Sequence, residues 1–334
     1  MDELRIRELI ESAIEHRRVW PQRVTNFNDR AFMHSNITNS QVEPKDGFIN
    51  TFIEEISKEK EIQYLATCTF VIDIGMEPLS INEIANWLLA RSLKEGVSTA
   101  IERLKVVLTD AKVPFLDVLA VCGATPFEPT RLADDITWMP FEQLDGSLAK
   151  DFLLHRAEFP VFHMVEGSPY PTPSSAIVRE GNTCAQIKPI ADAVKEDYDK
   201  GANRITQKSE YLLEIARCLA LFGVPATPVM FWIQPQDWNS VPGLKMRDAR
   251  HYLNPEIIPK HSVSVGGGQY TKLISQYLNL EHGIRSKLRV PMERLSLALQ
   301  RKSPVDIAIE LGIALESWLT SDRSRCSHIV HATT

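Results

Sequence analysis

The chain has 334 residues, with 37 Lys and Arg against 43 Asp and Glu, a formal net charge of −6. Hydrophobic residues at 44% supply a packed core and charged residues at 24% match an ordinary globular protein, which excludes a disordered or fibrous chain. The acidic balance also excludes attraction of nucleic acid by bulk charge and leaves only a local basic patch for that purpose.

In chain order, residues 3–18 form the first predicted helix, with an apolar stripe of Leu4, Ile6, Leu9, Ile10, Ala13 and Ile14. Trp20-Pro21 ends it, and residues 21–47 are rich in Asn, Asp, Pro and Gly and read as loop. A short helix is expected over 48–60. The run IQYLATCTFVIDIG (62–75) is dense in β-branched and aromatic residues and predicts a strand. Ser80, with Glu83 three residues on, predicts a capping box that opens a helix reaching about residue 94. Another helix covers 97–111, and Val113 to Val121 reads as a buried strand closed by Gly123.

Strands are expected at 135–141 (DITWMPF), 158–165 (EFPVFHMV) and 176–179. Between the last two, three prolines in GSPYPTPSS (167–175) predict a loop or linker. Short strands mixed with one or two helices, without regular βαβ alternation, favour an α+β class. From 185 onward helices dominate: 188–200, 205–222 (stopped by Gly223-Val224-Pro225), 269–281, 287–302 and 304–320. TPVMFWIQP (227–235) is a strand or a buried loop, and 236–268 is irregular. The expected organisation is a mixed α+β domain over 1–180 and a mainly helical, incomplete domain over 185–334.

The N-terminus is charged from its second residue and lacks an apolar h-region, so no signal peptide is expected. No stretch of about 18 apolar residues suggests a membrane span. Five scattered cysteines, never in a C-x-x-C pair, argue against a disulfide framework or a zinc knuckle. The expectation is a cytoplasmic protein with reduced, mostly buried thiols.

The common motifs of catalysis are missing. Gly266-Gly267-Gly268 lacks the spacing and lysine of a phosphate loop and reads as a flexible hinge before a helix. His155 and His163 flank one expected strand without metal-ligand spacing. No G-x-S-x-G is present, and Asp134-Asp135 reads as a solvated turn. No cofactor and no metal are expected.

Two features remain. The first is the helix over 304–320. Ser303 is the expected N-cap, Pro304 suits the first helical position, and Asp306 at the third complements the helix dipole. This helix, VDIAIELGIALESWL, is apolar on nearly all faces and so is expected to be buried between others. Its carboxylates Asp306, Glu310 and Glu316 then need arginine or histidine partners. The second feature is the tail, SDRSRCSHIVHATT. It pairs Arg323 with His328 and Arg325 with His331 at short spacing. An arginine orienting a phosphate beside an imidazole that moves a proton is minimal equipment for cleaving RNA through its own 2′-hydroxyl. Residues 285–331 hold eight Lys or Arg against five acids, a local excess of three positive charges.

The run LRVPMERLSLALQRKSPVDIAIELGIALESWL resembles the first helix pair of the HEPN superfamily, in its ApeA-like branch. The resemblance is carried by Arg294, Leu295, Arg301, Asp306 and Ala314-Leu315-Glu316 and covers residues 287–331. It implies a metal-independent RNA endonuclease or RNA-binding module, of the kind found among toxins and anti-phage defence proteins and generally acting as a dimer. The branch motif, an Arg-Ser pair with a His four residues after the serine, is matched by Arg323, Ser324 and His328. His328 is thereby expected as general base or acid and Arg323 as the phosphate-holding group. Asp306 and Glu316 would position nearby basic groups, and Arg325 with His331 form the alternative pair. The family's further helices have no counterpart after residue 320. Such a half-bundle leaves the 304–320 helix partly uncovered, which implies a second copy, a partner chain or the N-terminal region over it; RNA as a partner is what the resemblance implies. The other reading is a non-catalytic dimerisation or partner-binding module.

Overall fold

A computed structural model describes residues 2–17, 47–72, 75–109, 112–145, 147–154, 172–193, 199–236, 241–242, 251–253 and 262–320. It is an α+β protein with a largely antiparallel sheet and a helical C-terminal region. The chain divides into two compact units, each built from three separate stretches. The first comprises 1–115, 183–202 and 235–247, and the second 116–182, 203–234 and 248–334. Among the described residues no helix is long and apolar enough to cross a membrane.

The first unit carries α1 (Glu3–Arg17), α2 (Gly47–Ile56), α3 (Lys60–Ala66), β1 (Cys68–Ile72), β2 (Gly75–Pro78), α4 (Ile81–Glu95) and α5 (Val97–Thr109). Helix α1 packs on α2, α4 and α5 through Ile6 and Ile10, both fully buried, as are Ile84, Leu88 and Leu104. The capping box forms as the sequence predicts: Ser80 Oγ accepts from Glu83 N, and Glu83 Oε2 accepts from Ser80 N at 2.9 Å. Buried Arg91 pairs with Glu95, which also receives Arg103 Nε at 2.8 Å, so the guanidinium is not left uncompensated.

The strand expected over 62–75 is a correction. Its first part is α3, because Ile62 and Leu65 stand three apart and fill the core together, while Tyr64 is left exposed. Only from Cys68 does the β-branched run become β1. Strand β1 lies antiparallel to β2 and to the end of β7 (Ser175–Pro189), with Phe70 opposite Ile187.

The second unit holds the rest of β3 (Lys112–Cys122), followed by β4 (Ala124–Pro126), β5 (Thr130–Ala133), β6 (Ile136–Pro140), α6 (Leu148–Leu154) and the start of β7. Then come most of α8 (Asp199–Ala220), which follows the four-residue α7 (Ile190–Ala193) of the first unit, β8 (Thr227–Pro235), β9 (His251–Tyr252), β10 (Val263–Val265), α9 (Gly268–Leu278), α10 (His282–Gln300) and α11 (Pro304–Thr320). Strand β7 runs antiparallel to β6, β8 antiparallel to β9, and β10 parallel to β4. Every residue of β3 from Phe115 to Cys122 is buried, the mark of a strand covered on both faces. On one face Leu116, Val118 and Ala120 pack with Phe141, Leu153, Val178 and Trp232. Trp138 Nε1 donates to Ser175 Oγ at 2.9 Å, and that hydroxyl donates to Ala124 O at 2.7 Å, which locks β6, β7 and β4 together.

One glycine acts as the sequence suggests and one does not. Gly223 adopts φ +74° and ends α8, a left-handed stop that glycine tolerates best. Gly267 was expected to be part of a flexible hinge. It is instead buried against β5, where an added Cβ would stand 1.8 Å from Thr130 Oγ1. Backbone contact, not looseness, is what this glycine supplies, and Thr271 Oγ1 continues the contact by donating to Arg131 O at 2.7 Å.

Candidate functional site

The hairpin of α10 and α11 is the part of the second unit whose chemistry departs most from ordinary packing. Helix α10 contains Pro291 in its interior, buried beside Met292. A proline there leaves one carbonyl of the preceding turn without its helical donor and bends the helix. After Gln300 the chain turns, and α11 starts where the sequence places it. Ser303 Oγ accepts from Asp306 N at 3.4 Å, and Ser303 O accepts from Ile307 N at 2.9 Å.

The side of α11 that faces α10 carries Glu310, a buried carboxylate. Arg294 Nη1 reaches Glu310 Oε2 at 3.2 Å and Arg301 Nη2 reaches Oε1 at 3.1 Å. One carboxylate therefore holds two guanidinium groups, and the trio keeps one net positive charge. The expected arginine partners of the acidic residues in this helix are found here, at Glu310. Asp306 and Glu316 are exposed, where solvent hydrates their carboxylates. They stand ten residues apart, about 15 Å along the helix axis, and the structure does not bring them into one site. Arg323, Arg325, His328 and His331 lie outside the described residues.

The opposite side of α11 overturns the expectation that this helix is buried between others. Only the Glu310–Ala314 side packs inward. Around the outward half of the helix stand Pro304, Val305, Ala308, Ile309, Leu311, Gly312, Leu315, Glu316, Trp318 and Leu319, all exposed. Nine of these ten are apolar or small, and Val305 at 66%, Trp318 at 60% and Leu319 at 71% exposure are open to solvent. The usual amphipathic order is inverted: the buried charge faces the neighbouring helix and the apolar half faces outward. Sequence reasoning registered that α11 is apolar all round. That the helix is left partly uncovered is expected only from the half-bundle that the resemblance implies, not from its periodicity.

The start of α10 is fastened to α8 by a second polar cluster. Tyr277 Oη donates to Glu214 Oε1 at 2.7 Å, and Arg285 Nη1 stands 3.8 Å from the same oxygen. Nearby, Arg179 Nε bonds Asp135 Oδ2 at 2.6 Å, and its guanidinium lies 4.2 Å from the Tyr211 ring centroid, a cation–π contact. Burial, and then the bond to the Glu214 carboxylate, push the Tyr277 phenol well above its ordinary range. Burial also pushes the Cys218 thiol up to about 12. Both groups favour the neutral form, and the Tyr277 bond to Glu214 fastens α9 to α8. Nothing in the sequence spacing announces this cluster, because its members come from the turn between β5 and β6, β7, α8, α9 and α10.

Among the described residues no group of three His, Cys, Asp or Glu side chains is placed to hold a metal ion. No protein-family model, no curated protein and no solved structure matches this chain.

Proposed function

We propose that the α10–α11 hairpin is a docking module that binds another polypeptide through the outward half of α11. The carrying observation is the apolar surface from Val305 to Leu319, interrupted by Glu316 alone, on a helix whose buried charge, Glu310, points the other way. Globular chains rarely expose contiguous apolar patches beyond a few hundred Å² unless a partner covers them. The test is a benzophenone amino acid placed at Leu315 in producing cells. Irradiation is expected to join the chain to another polypeptide. The same group at Val106, a single exposed apolar side chain of α5, is the control expected to give no adduct. Absence of any adduct from position 315 overturns the docking reading.

A second reading is favoured by the sequence alone: a metal-independent, HEPN-type RNA-cleaving or RNA-binding protein acting in the cytoplasm. The supporting observation is the Arg323-Ser324 pair with His328 four residues after the serine, directly after a helix pair of matching pattern. In this reading Arg323 holds the scissile phosphate, and His328, with an unperturbed pKa near 6.5, moves the proton. Of the four described cysteines none is in a disulfide; Cys68, Cys122 and Cys218 are buried and Cys184 is exposed, a pattern that suits a reducing compartment. Purified protein is to be incubated with total RNA in EDTA beside Arg323→Ala and His328→Ala. Cleavage that survives chelation and is lost in both variants supports this reading. No cleavage by the parent removes it and leaves the docking module alone.

A further inference from the structure

We infer that the outward face of α11 docks on the same face of a second copy of this chain, the two helices running antiparallel about a two-fold axis at Gly312. This rests on the docking reading above and adds to it the partner and the geometry.

The first support is spacing. Val305, Ala308, Gly312, Leu315 and Leu319 follow one another at intervals of three, four, three and four, and all five are exposed. That is the seam of a helix that pairs side by side with another helix. Glu316, the one charge on this half, stands near its edge beside Ile309.

The second support is the distribution of size along the seam. Ala308 and Gly312 make a shallow depression toward the N-terminal end, and Leu315, Trp318 and Leu319 make a ridge toward the C-terminal end. Antiparallel pairing centred on Gly312 sets Leu319 against Val305 of the copy and Leu315 against Ala308. Each ridge then fills the other depression. Parallel pairing sets Ala308 and Gly312 against themselves, which leaves a void, and crowds the leucines and tryptophans together.

The third support is Gly312 itself. Glycine inside a helix costs about 1 kcal/mol relative to alanine. Within the hairpin nothing lies within 4 Å of where its Cβ would stand, so intramolecular packing does not require glycine. Close approach of a second helix does. The fourth support is area. Val305, Ile309, Leu311, Leu315, Trp318 and Leu319 present on the order of 600 Å² of apolar surface per copy. A specific interface takes about 800 Å² from each partner, so this face supplies most of one.

Light scattering coupled to size exclusion, run on the full chain over a concentration series, is expected to give a species of twice the 37.8 kDa chain mass. Gly312→Leu is the decisive variant. The separate hairpin has room for the side chain and gains helix propensity, so the fold survives, which circular dichroism melting verifies. At the two-fold axis, however, two leucines collide, and the dimer dissociation constant rises about 30-fold or more. Leu315→Glu has the same effect by placing a charge in the seam. A monomer at every concentration overturns the inference, as does a dimer that both variants leave intact. If the benzophenone at position 315 captures a different polypeptide while the chain stays monomeric, self-pairing falls and the docking reading stands. If it captures nothing, both fall.

Discussion

Arg301 and Glu310 meet at 3.1 Å across the turn that joins α10 to α11, and the same carboxylate holds Arg294 from the opposite side. Glu310 is therefore the residue on which the hairpin closes. Arg294 and Arg301 are only partly buried, so solvent hydrates them when the carboxylate is removed and softens the penalty for an unpaired charge. Glu310→Ala is expected to cost about 2–3 kcal/mol in urea unfolding. Glu310→Gln should cost less, because the amide oxygen still accepts one guanidinium bond. A loss within the range of ordinary surface substitutions, about 0.5 kcal/mol, would show that the trio does not hold the hairpin.

The three consecutive glycines separate on substitution. Gly266→Ala and Gly268→Ala meet open space and should leave the melting temperature nearly unchanged. Gly267→Ala drives a methyl group onto Thr130, from 1.8 Å at Oγ1 to 2.6 Å at Cγ2, and β5 or the start of α9 must shift. Overpacking of this kind costs about 1–3 kcal/mol. Thr130→Gly in the same chain should restore part of the loss. Equal melting temperatures for all three alanine variants would restore the hinge reading of this segment.

Local signals carried much of the fold. Ser80 and Glu83 announce the start of α4, and Ser303 with Pro304 announces α11 at its observed first residue. The apolar run from Val113 to Val121 becomes the buried strand β3. In each case the signal and its structural effect lie within one turn or one strand. The failures are of another kind. Residues 62–66 carry aromatic and β-branched side chains that favour a strand locally, and burial of Ile62 and Leu65 on one helical side overrides that preference. Gly267 is needed because of Thr130, and Glu214 meets Tyr277 from 63 residues away. The outward face of α11 follows from what does not cover it, which composition and periodicity do not encode. Of the residues singled out for chemistry, Asp306 and Glu316 are surface groups, and the two Arg–His pairs stand beyond the described part of the chain.

The cap of α4 offers a calibrated check on local reading. Ser80→Ala removes the hydroxyl that accepts from Glu83 N and leaves that amide without its side-chain acceptor. The expected loss is about 1 kcal/mol. Ser80→Asp, which retains an acceptor and adds a charge suited to the helix N-terminus, should return most of it. If the alanine variant unfolds at the parent's urea midpoint, the capping box contributes nothing to this unit.

Alkaline pH should weaken the packing of α9 on α8, and the sign follows from the two buried groups there. Folding raises the Cys218 thiol from 9.0 to about 12 and also raises the Tyr277 phenol above its ordinary 10.0. Burial is the first cause for both, because it disfavours the charged form. A group raised in the folded state favours folding fully below its unfolded pKa, because both states then hold the proton. Above that value the unfolded chain releases the proton and the folded chain does not, so stability falls as pH rises. The decline starts near pH 9 with Cys218, is joined near pH 10 by Tyr277, and continues until the folded groups themselves ionise. Each group contributes a slope of up to about 1.4 kcal/mol per pH unit. Urea unfolding at a series of pH values from 8 to 11 is expected to give a falling midpoint above 9. In Tyr277→Phe, the part of the slope that begins near 10 should vanish, although the variant loses the bond to Glu214 and starts from lower stability. In Cys218→Ala, the part beginning near 9 should vanish while the Tyr277 part persists. A midpoint that stays level to pH 11 in the parent would mean that neither group is held neutral by its surroundings.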